Sequence, residues 1–332
     1  MLKVIKWVVI SLMLLMITAV IVYYVGPITS APNLTSRLKP IDSSLLTLEK
    51  YVKQKEDSAG EIKPDNEARI IWADSVGEKT DYAIVYLHGF GASQGEGAPV
   101  HNNIANRIGA NLYLSRLSGH GLVRKDAFQG ISAESYMESA AEALSIGKLL
   151  GDKVILIGTS TGASQALYLA ANFPSQIAAL VLYSPFIEMA DQNLQFLSTG
   201  HWNEQIIDAL IGSGISTTKR PDSVAAYWST YYHADAYKAL FSMVQYSTTP
   251  AIISKVNVPV FLAYYFKDSD KQDNVVSVEA MKELFISLPS KEKEQLAFPL
   301  TGNHVIASKW RSLDWQAVQD STISYLSLTL NL

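Results

Sequence analysis

Hydrophobic positions along this chain fall into two regimes. Residues 7–25 (WVVISLMLLMITAVIVYYV) make one apolar run without a charge, closed by Gly26-Pro27. As a helix rising ~1.5 Å per residue, the run spans ~28 Å, close to a hydrocarbon core of about 30 Å. From residue 68 onward, short apolar runs alternate with longer stretches whose apolar positions recur every three or four residues. Strands are predicted at 70–73, 82–87, 111–115, 153–157, 178–183, 258–265 and 295–298, and helices at 100–108, 133–150, 163–172, 278–288 and 314–326. Such alternation predicts an α/β fold, a mostly parallel central sheet flanked by helices on both faces.

The alternation lapses between Pro185 and Pro250. A structureless loop of that length is foreign to a compact domain, so an inserted helical cap is expected at about 186–250. Its apolar positions include Phe196, Trp202, Ile207 and Leu210, followed by Tyr227, Trp228, Tyr231 and Tyr232. The last four are spaced i,i+4 and are expected on one helical face, with Tyr227, Trp228 and Tyr231 lining a pocket for an apolar group.

Residues 28–67, with Pro32, Pro40 and Pro64 and a charged stretch at 45–61 that suits one short helix, read as a stalk. The expected organisation is an N-terminal transmembrane helix at 1–27, a stalk or linker at 28–67, and a domain at 68–332. A cleaved signal peptide is the rival reading, but Tyr23-Tyr24-Val25-Gly26 suits an aromatic interfacial belt better than the small-residue site that cleavage needs. Lys3 and Lys6 precede the run, whereas Arg37 and Lys39 lie further beyond it, which favours a single-pass protein with its domain on the extracytoplasmic side.

Candidate chemistry centres on Gly158-Thr159-Ser160-Thr161-Gly162, which lies between a predicted strand and a predicted helix. A G-x-S-x-G pattern in that context is a nucleophile elbow. Side chains at 158 or 162 would crowd the sharp turn, and Ser160 at a helix amino end leaves the Thr161 N–H free to hold an oxyanion. The strand at 82–87 runs into His88-Gly89-Phe90-Gly91, where glycines allow close approach and the Phe90 N–H is the candidate second donor. This loop lacks the third glycine of a dinucleotide fingerprint, since Gln94 stands there. Among six histidines, only His304 lies in a strand-to-helix loop near the carboxyl end, the place for a general base. The orienting acid is sought after the strand at 258–265, where Asp273 is preferred and Asp268 and Asp270 remain as alternatives.

The order Ser160, Asp273, His304 joins further motifs: HGFG at 88–91, SRLSGHG at 115–121, DNVVS at 273–277 and GNHV at 302–305. Together they resemble α/β-hydrolases of the monoacylglycerol-lipase-like or serine-aminopeptidase-like group, over roughly residues 68–332. The resemblance implies the α/β-hydrolase fold, a serine hydrolase acting through an acyl-enzyme, and no cofactor. The expected substrate is a small-molecule ester with a lipid-like or other apolar acyl group. An aminopeptidase-like enzyme would need an acidic cap site, for which Glu188, Asp191 and Glu204 are candidates. An acyltransferase would use the same triad, and a non-catalytic membrane-anchored binding protein is the alternative of another class.

Composition narrows the field. With 332 residues, 48% of them hydrophobic, the chain can build a large core. A net charge of -4 and no nucleic-acid motif argue against nucleic-acid binding. The absence of cysteine excludes disulfides, a thiol nucleophile and cysteine-ligated zinc; no H-E-x-x-H occurs, and no metal is expected. Oligomeric state has no signature in the sequence.

Overall fold

The computed structural model describes residues 1–212 and 214–332. Strands β1 (Arg69–Ile71), β2 (Thr80–Leu87), β3 (Asn111–Leu114), β4 (Gly151–Thr159) and β5 (Ile177–Tyr183) precede a hairpin of β6 (Ile215–Thr217) and β7 (Tyr231–His233). After it come β8 (Val260–Tyr264) and β9 (Lys293–Ala297). All but the hairpin join a seven-stranded sheet in the order β1-β3-β2-β4-β5-β8-β9, in which β1 is antiparallel to β3 and every other pair is parallel. Central parallel strands are covered on both faces, which is why β5 (IAALVLY) is apolar throughout and buried at every position.

The helices are α1 (Leu2–Val25), α2 (Leu48–Ser58), α3 (Val100–Ile108), α4 (Ala133–Leu150), α5 (Thr161–Asn172), α6 (Phe196–Thr199), α7 (Asn203–Ile211), α8 (Asp222–Ala225), α9 (Ala234–Ser247), α10 (Pro250–Ile253), α11 (Val278–Ser287) and α12 (Trp315–Leu330). Successive strand residues face opposite ways, so Ile84 and Tyr86 of β2 join a core with α3 and α12, while Val85 and Leu87 join another with α4, α5 and α9. The fold is the α/β-hydrolase fold, with its connecting loops gathered at the carboxyl ends of β2, β4, β5 and β8.

Helices α6 to α9 and the β6–β7 hairpin occupy the stretch expected as a cap, and α9 packs across α4 and α5. The aromatic quartet does not share a helical face. Helix α8 stops at Ala225, and the Ser229 N–H then donates to Gly91 O at 2.6 Å, drawing the chain into β7. Tyr231 and Tyr232 are therefore neighbours on a strand and face opposite sides.

Residues 28–67 do not stand off as a stalk. Leu34, Leu48 and Val52 lie in the main core, and Glu56 meets Arg116 through two contacts, of 2.6 Å to Nε and 3.1 Å to a terminal nitrogen. Glu56 also accepts from the Ala68 N–H, and Arg116 donates to His120 O. Prolines and charges suggested a linker, but Glu56 of α2 has a buried partner in Arg116. Helix α1, by contrast, is long and apolar enough to cross a membrane, and none of its most hydrophobic window is buried.

Removing the cation of the Glu56–Arg116 pair, whose side chains are both 7% exposed, leaves a buried carboxylate unpaired. Arg116→Met should therefore lower stability by about 3–5 kcal/mol in urea unfolding. A loss below about 1 kcal/mol, the level of a surface pair, would contradict integration of α2 into the domain.

Candidate active site

Ser160 sits on the turn between β4 and α5 with φ 54° and ψ -116°, left-handed backbone that costs a residue with a side chain of order 1–3 kcal/mol. Neighbours hold it there: its N–H donates to Tyr183 O at 2.9 Å and its carbonyl accepts from Phe186 N at 3.1 Å. The flanking glycines are required by space. A Cβ at Gly158 would stand 2.6 Å from Ala163 Cα, and one at Gly162 would run into the Leu87 and His88 carbonyl oxygens. As the residue just ahead of α5, Ser160 is followed by Thr161, whose N–H has no partner one helical turn back.

The loop after β2 lies against this turn. His88 is fully buried, bonding Gly89 O through Nδ1 and accepting the Leu117 N–H at Nε2, and burial lowers its pKa to about 4, so it is neutral. The Ala92 N–H closes the loop onto Gly89 O, while the Phe90 N–H donates to nothing among the described residues. Gly89 has Ser160 beside it, 3.3 Å from where a Cβ would be. Phe90, which follows Gly89, and Thr161, which follows Ser160, the two expected N–H donors, are thus adjacent in the chain to this contact.

The candidate base and its candidate acid meet. His304 Nδ1 lies 2.6 Å from Asp273 Oδ2, and Asp273 Oδ1 accepts from the N–H groups of Val275 and Val276. Burial works to lower the His304 pKa, but the Asp273 charge and hydrogen bond, with Glu96 beyond, outweigh it and hold the pKa above the ordinary histidine value. Burial likewise works to raise the Asp273 pKa, and the imidazole with the two backbone donors brings it below the usual range. Asp268 and Asp270 are exposed; Asp268 instead accepts from the Asp270 and Lys271 N–H groups in a tight loop. A backbone bridge between Phe266 and Gln272 closes that loop and returns the chain to Asp273.

Two further residues shape the site. Ser184, just past β5, has φ 44°, and its hydroxyl donates to His304 O at 2.8 Å. The end of β5 therefore carries both the Ser160 turn, through Tyr183, and the histidine loop, through Ser184. Glu96 is fully buried, accepting from Gly89 N at 2.7 Å and from the Tyr86 hydroxyl at 3.0 Å; that hydroxyl also contacts Thr159 Oγ1. Burial raises the Glu96 pKa to about 7 against the lowering effect of those donors. Its sequence signal is that it is the sole Asp, Glu, Lys or Arg between Asp81 and Arg107.

The cap closes over these groups. Ser160 and His304 are each 8% exposed, and no hydrogen bond joins Ser160 Oγ to His304. Trp228 is buried in one cluster with Ala92 of the glycine loop and Val305 beside the histidine. Tyr227 bonds Asp65 through its hydroxyl and packs near Trp310. Tyr232 lies 5.4 Å from Phe90, stacks on Phe128, and fills the space a Cβ would need at Gly91. Tyr231 belongs elsewhere, beneath the Lys125 ammonium, because strand alternation turns it away from Tyr232. The remaining histidines are engaged apart from the serine: His101 with Gln94 O, His120 with Ser118 O, His233 at the start of α9 and His201 against the end of α1.

A family model described as the alpha/beta hydrolase fold matches residues 82–210. No curated protein matches the chain in sequence. Among solved structures, one reported with the metagenome-derived lipolytic enzymes LipS and LipT is similar at 16% identity and TM-score 0.65, over 81% of this chain and 100% of its own. A soluble variant of monoglyceride lipase from Saccharomyces cerevisiae is 14% identical with TM-score 0.60, over 79% and 91% of the two chains. A putative non-heme bromoperoxidase from Mycobacterium tuberculosis is 15% identical with TM-score 0.57, over 81% and 98%. At such identities the likeness carries the fold, and different chemistries share it. By its sheet order, its match to the fold's model over residues 82–210 and these structural relatives, the chain has the α/β-hydrolase fold.

Proposed function

We propose that this protein is a membrane-anchored serine hydrolase that cleaves carboxylic esters through an acyl-enzyme. The observation that carries the reading is the buried Asp273–His304 pair, whose histidine loop is held by the same end of β5 that holds a serine in left-handed backbone at the amino end of α5. His304 takes the proton of the Ser160 hydroxyl as Oγ attacks the ester carbonyl, and the Phe90 and Thr161 N–H groups receive the oxyanion. The imidazolium returns its proton to the leaving alcohol. Water, deprotonated in turn by His304, then releases the acid and restores Ser160. Asp273 fixes the tautomer with Nε2 facing the serine and stabilises the imidazolium.

Apolar acyl groups fit the surroundings, since Phe90, Phe128, Trp228 and Tyr232 gather over the glycine loop. The lipolytic and monoglyceride-lipase structures among the similar folds point the same way. Of the acids an aminopeptidase would need, Glu188 accepts from Gln192 Nε2 at 3.4 Å. Asp191 is occupied in capping a short turn, and Glu204 faces a separate pocket with Asp235 and Lys238. In this reading α1 crosses the membrane once, with the domain on the extracytoplasmic side.

Ser160→Ala should abolish ester turnover in a folded protein, and Asp273→Asn should reduce kcat on the order of 10⁴-fold; activity surviving Ser160→Ala would overturn the reading. Simple esters should be cleaved in preference to aminoacyl amides, and the reverse preference would favour the peptidase.

His304 acts as base only when neutral, so kcat/KM should rise with pH as its proton leaves. Because Asp273 and Glu96 hold that proton on, the rise should centre above the ordinary histidine value. Glu96→Gln removes one of these charges and should move the centre to lower pH. An unmoved profile would restrict Glu96 to shaping the loop.

A further inference from the structure

Helix α1 is not a free tether, because the loop between α6 and α7 grips its last turn. The Trp202 indole Nε1–H donates to Val22 O at 3.1 Å, and the Trp202 backbone N–H donates to Pro27 O at 2.8 Å. His201 Nδ1 lies 2.9 Å from Gly26 O, and its ring is 5.5 and 5.8 Å from those of Tyr23 and Tyr24. Beyond the helix, the Thr29 hydroxyl donates to Asn203 Oδ1 at 2.9 Å, and the Tyr246 hydroxyl of α9 donates to Thr29 O.

The contact bears two marks of a built seam. Trp202 takes left-handed backbone, φ 65°, a costly conformation for a bulky residue. Gly26 has an ordinary φ of -67°, so the backbone itself does not demand glycine there. The indole does, because a Cβ at Gly26 would fall inside the Trp202 ring.

A bilayer crossed by α1 must have its surface within about one helical turn, ~5 Å, of this seam. Tyr, Trp and His meet there, and Tyr and Trp settle at membrane interfaces. Helices α6 and α7 flank the seam and carry Phe196, 40% exposed, and Leu210, 68% exposed, with Leu194, 43% exposed, just ahead. The same helices pack on α9, which lies across α5, the helix headed by Ser160.

We propose that the α6–α7 face of the cap rests on the phospholipid bilayer, docked there by the Gly26–Trp202 seam, and receives apolar esters from it. This surface extends the anchored ester-hydrolase reading and rests on it. Substrate then reaches Ser160 from the membrane rather than from bulk water.

The chain has no cysteine, so a single introduced one can be labelled uniquely. Full-length Leu210→Cys, and Leu328→Cys on α12 at the other face of the sheet as control, are labelled with nitrobenzoxadiazole and reconstituted in phosphatidylcholine vesicles containing doxyl lipid. The label at 210 should be quenched several-fold more than that at 328, and adding Trp202→Ala or Gly26→Leu should bring it down to the control. Equal quenching at both positions in protein that floats with the vesicles overturns the proposal and leaves the anchor intact. Protein that does not float overturns the anchor, and the proposal with it. Trp202→Ala should also slow cleavage of a vesicle-borne long-chain ester several-fold while sparing a soluble short-chain ester. Equal loss on both would assign Trp202 to cap folding and overturn delivery from the bilayer.

Discussion

The left-handed turn at Ser160 is the constraint on which the site depends. A serine remains at φ 54° only if its surroundings over-determine it, and they do so from three sides. Glycines at 158 and 162 clear the space, Tyr183 on β5 accepts the Ser160 N–H, and Phe186 donates back to its carbonyl. One strand further on, Ser184 repeats the left-handed conformation and holds the histidine loop by its carbonyl. The carboxyl edge of the parallel sheet thus fixes Ser160 and the His304 loop, the proposed nucleophile and base, against one strand, and strain at two adjacent strand ends is offset by a shared hydrogen-bond network.

The cap and the glycine loop pack as one unit over the Ser160 turn. Ser229 bonds Gly91, Tyr232 presses on Gly91 and Phe90, and Trp228 spans from Ala92 to Val305. Opening the cap must therefore disturb the loop that offers the Phe90 N–H. Glu96 ties the other side of that loop to Tyr86 and, through it, to Thr159 beside Ser160. A cap held at a bilayer through Trp202 would link substrate arrival to the geometry of the oxyanion donors.

Sheet and elbow were legible because local pattern and tertiary demand agree. Continuous apolar strands need two covered faces, and a serine between glycines at a strand-to-helix junction has few other uses. The pairing of Asp273 with His304 was expected from chain order, while the spacing of Asp268 and Asp270 left them open until the fold buried only Asp273. Glu96 escaped notice because a single acid in a glycine-rich loop has no periodicity, and its burial depends on donors from β2. Residues 28–67 read as a stalk because Glu56 looks solvated until Arg116, sixty residues away, arrives beside it. The aromatic quartet fitted helical spacing, but the helix ends at Ala225, the Ser229 N–H bonds Gly91, and only Tyr231 and Tyr232 enter a strand.

The most direct test of the account is whether Ser160 is an activated nucleophile. Full-length protein would be treated with a fluorophosphonate probe and the modified peptide identified by mass spectrometry, with Ser160→Ala as control. The account predicts labelling confined to Ser160 and abolished in the variant. Labelling at another serine, or none in protein shown to be folded and reconstituted in lipid, would contradict it.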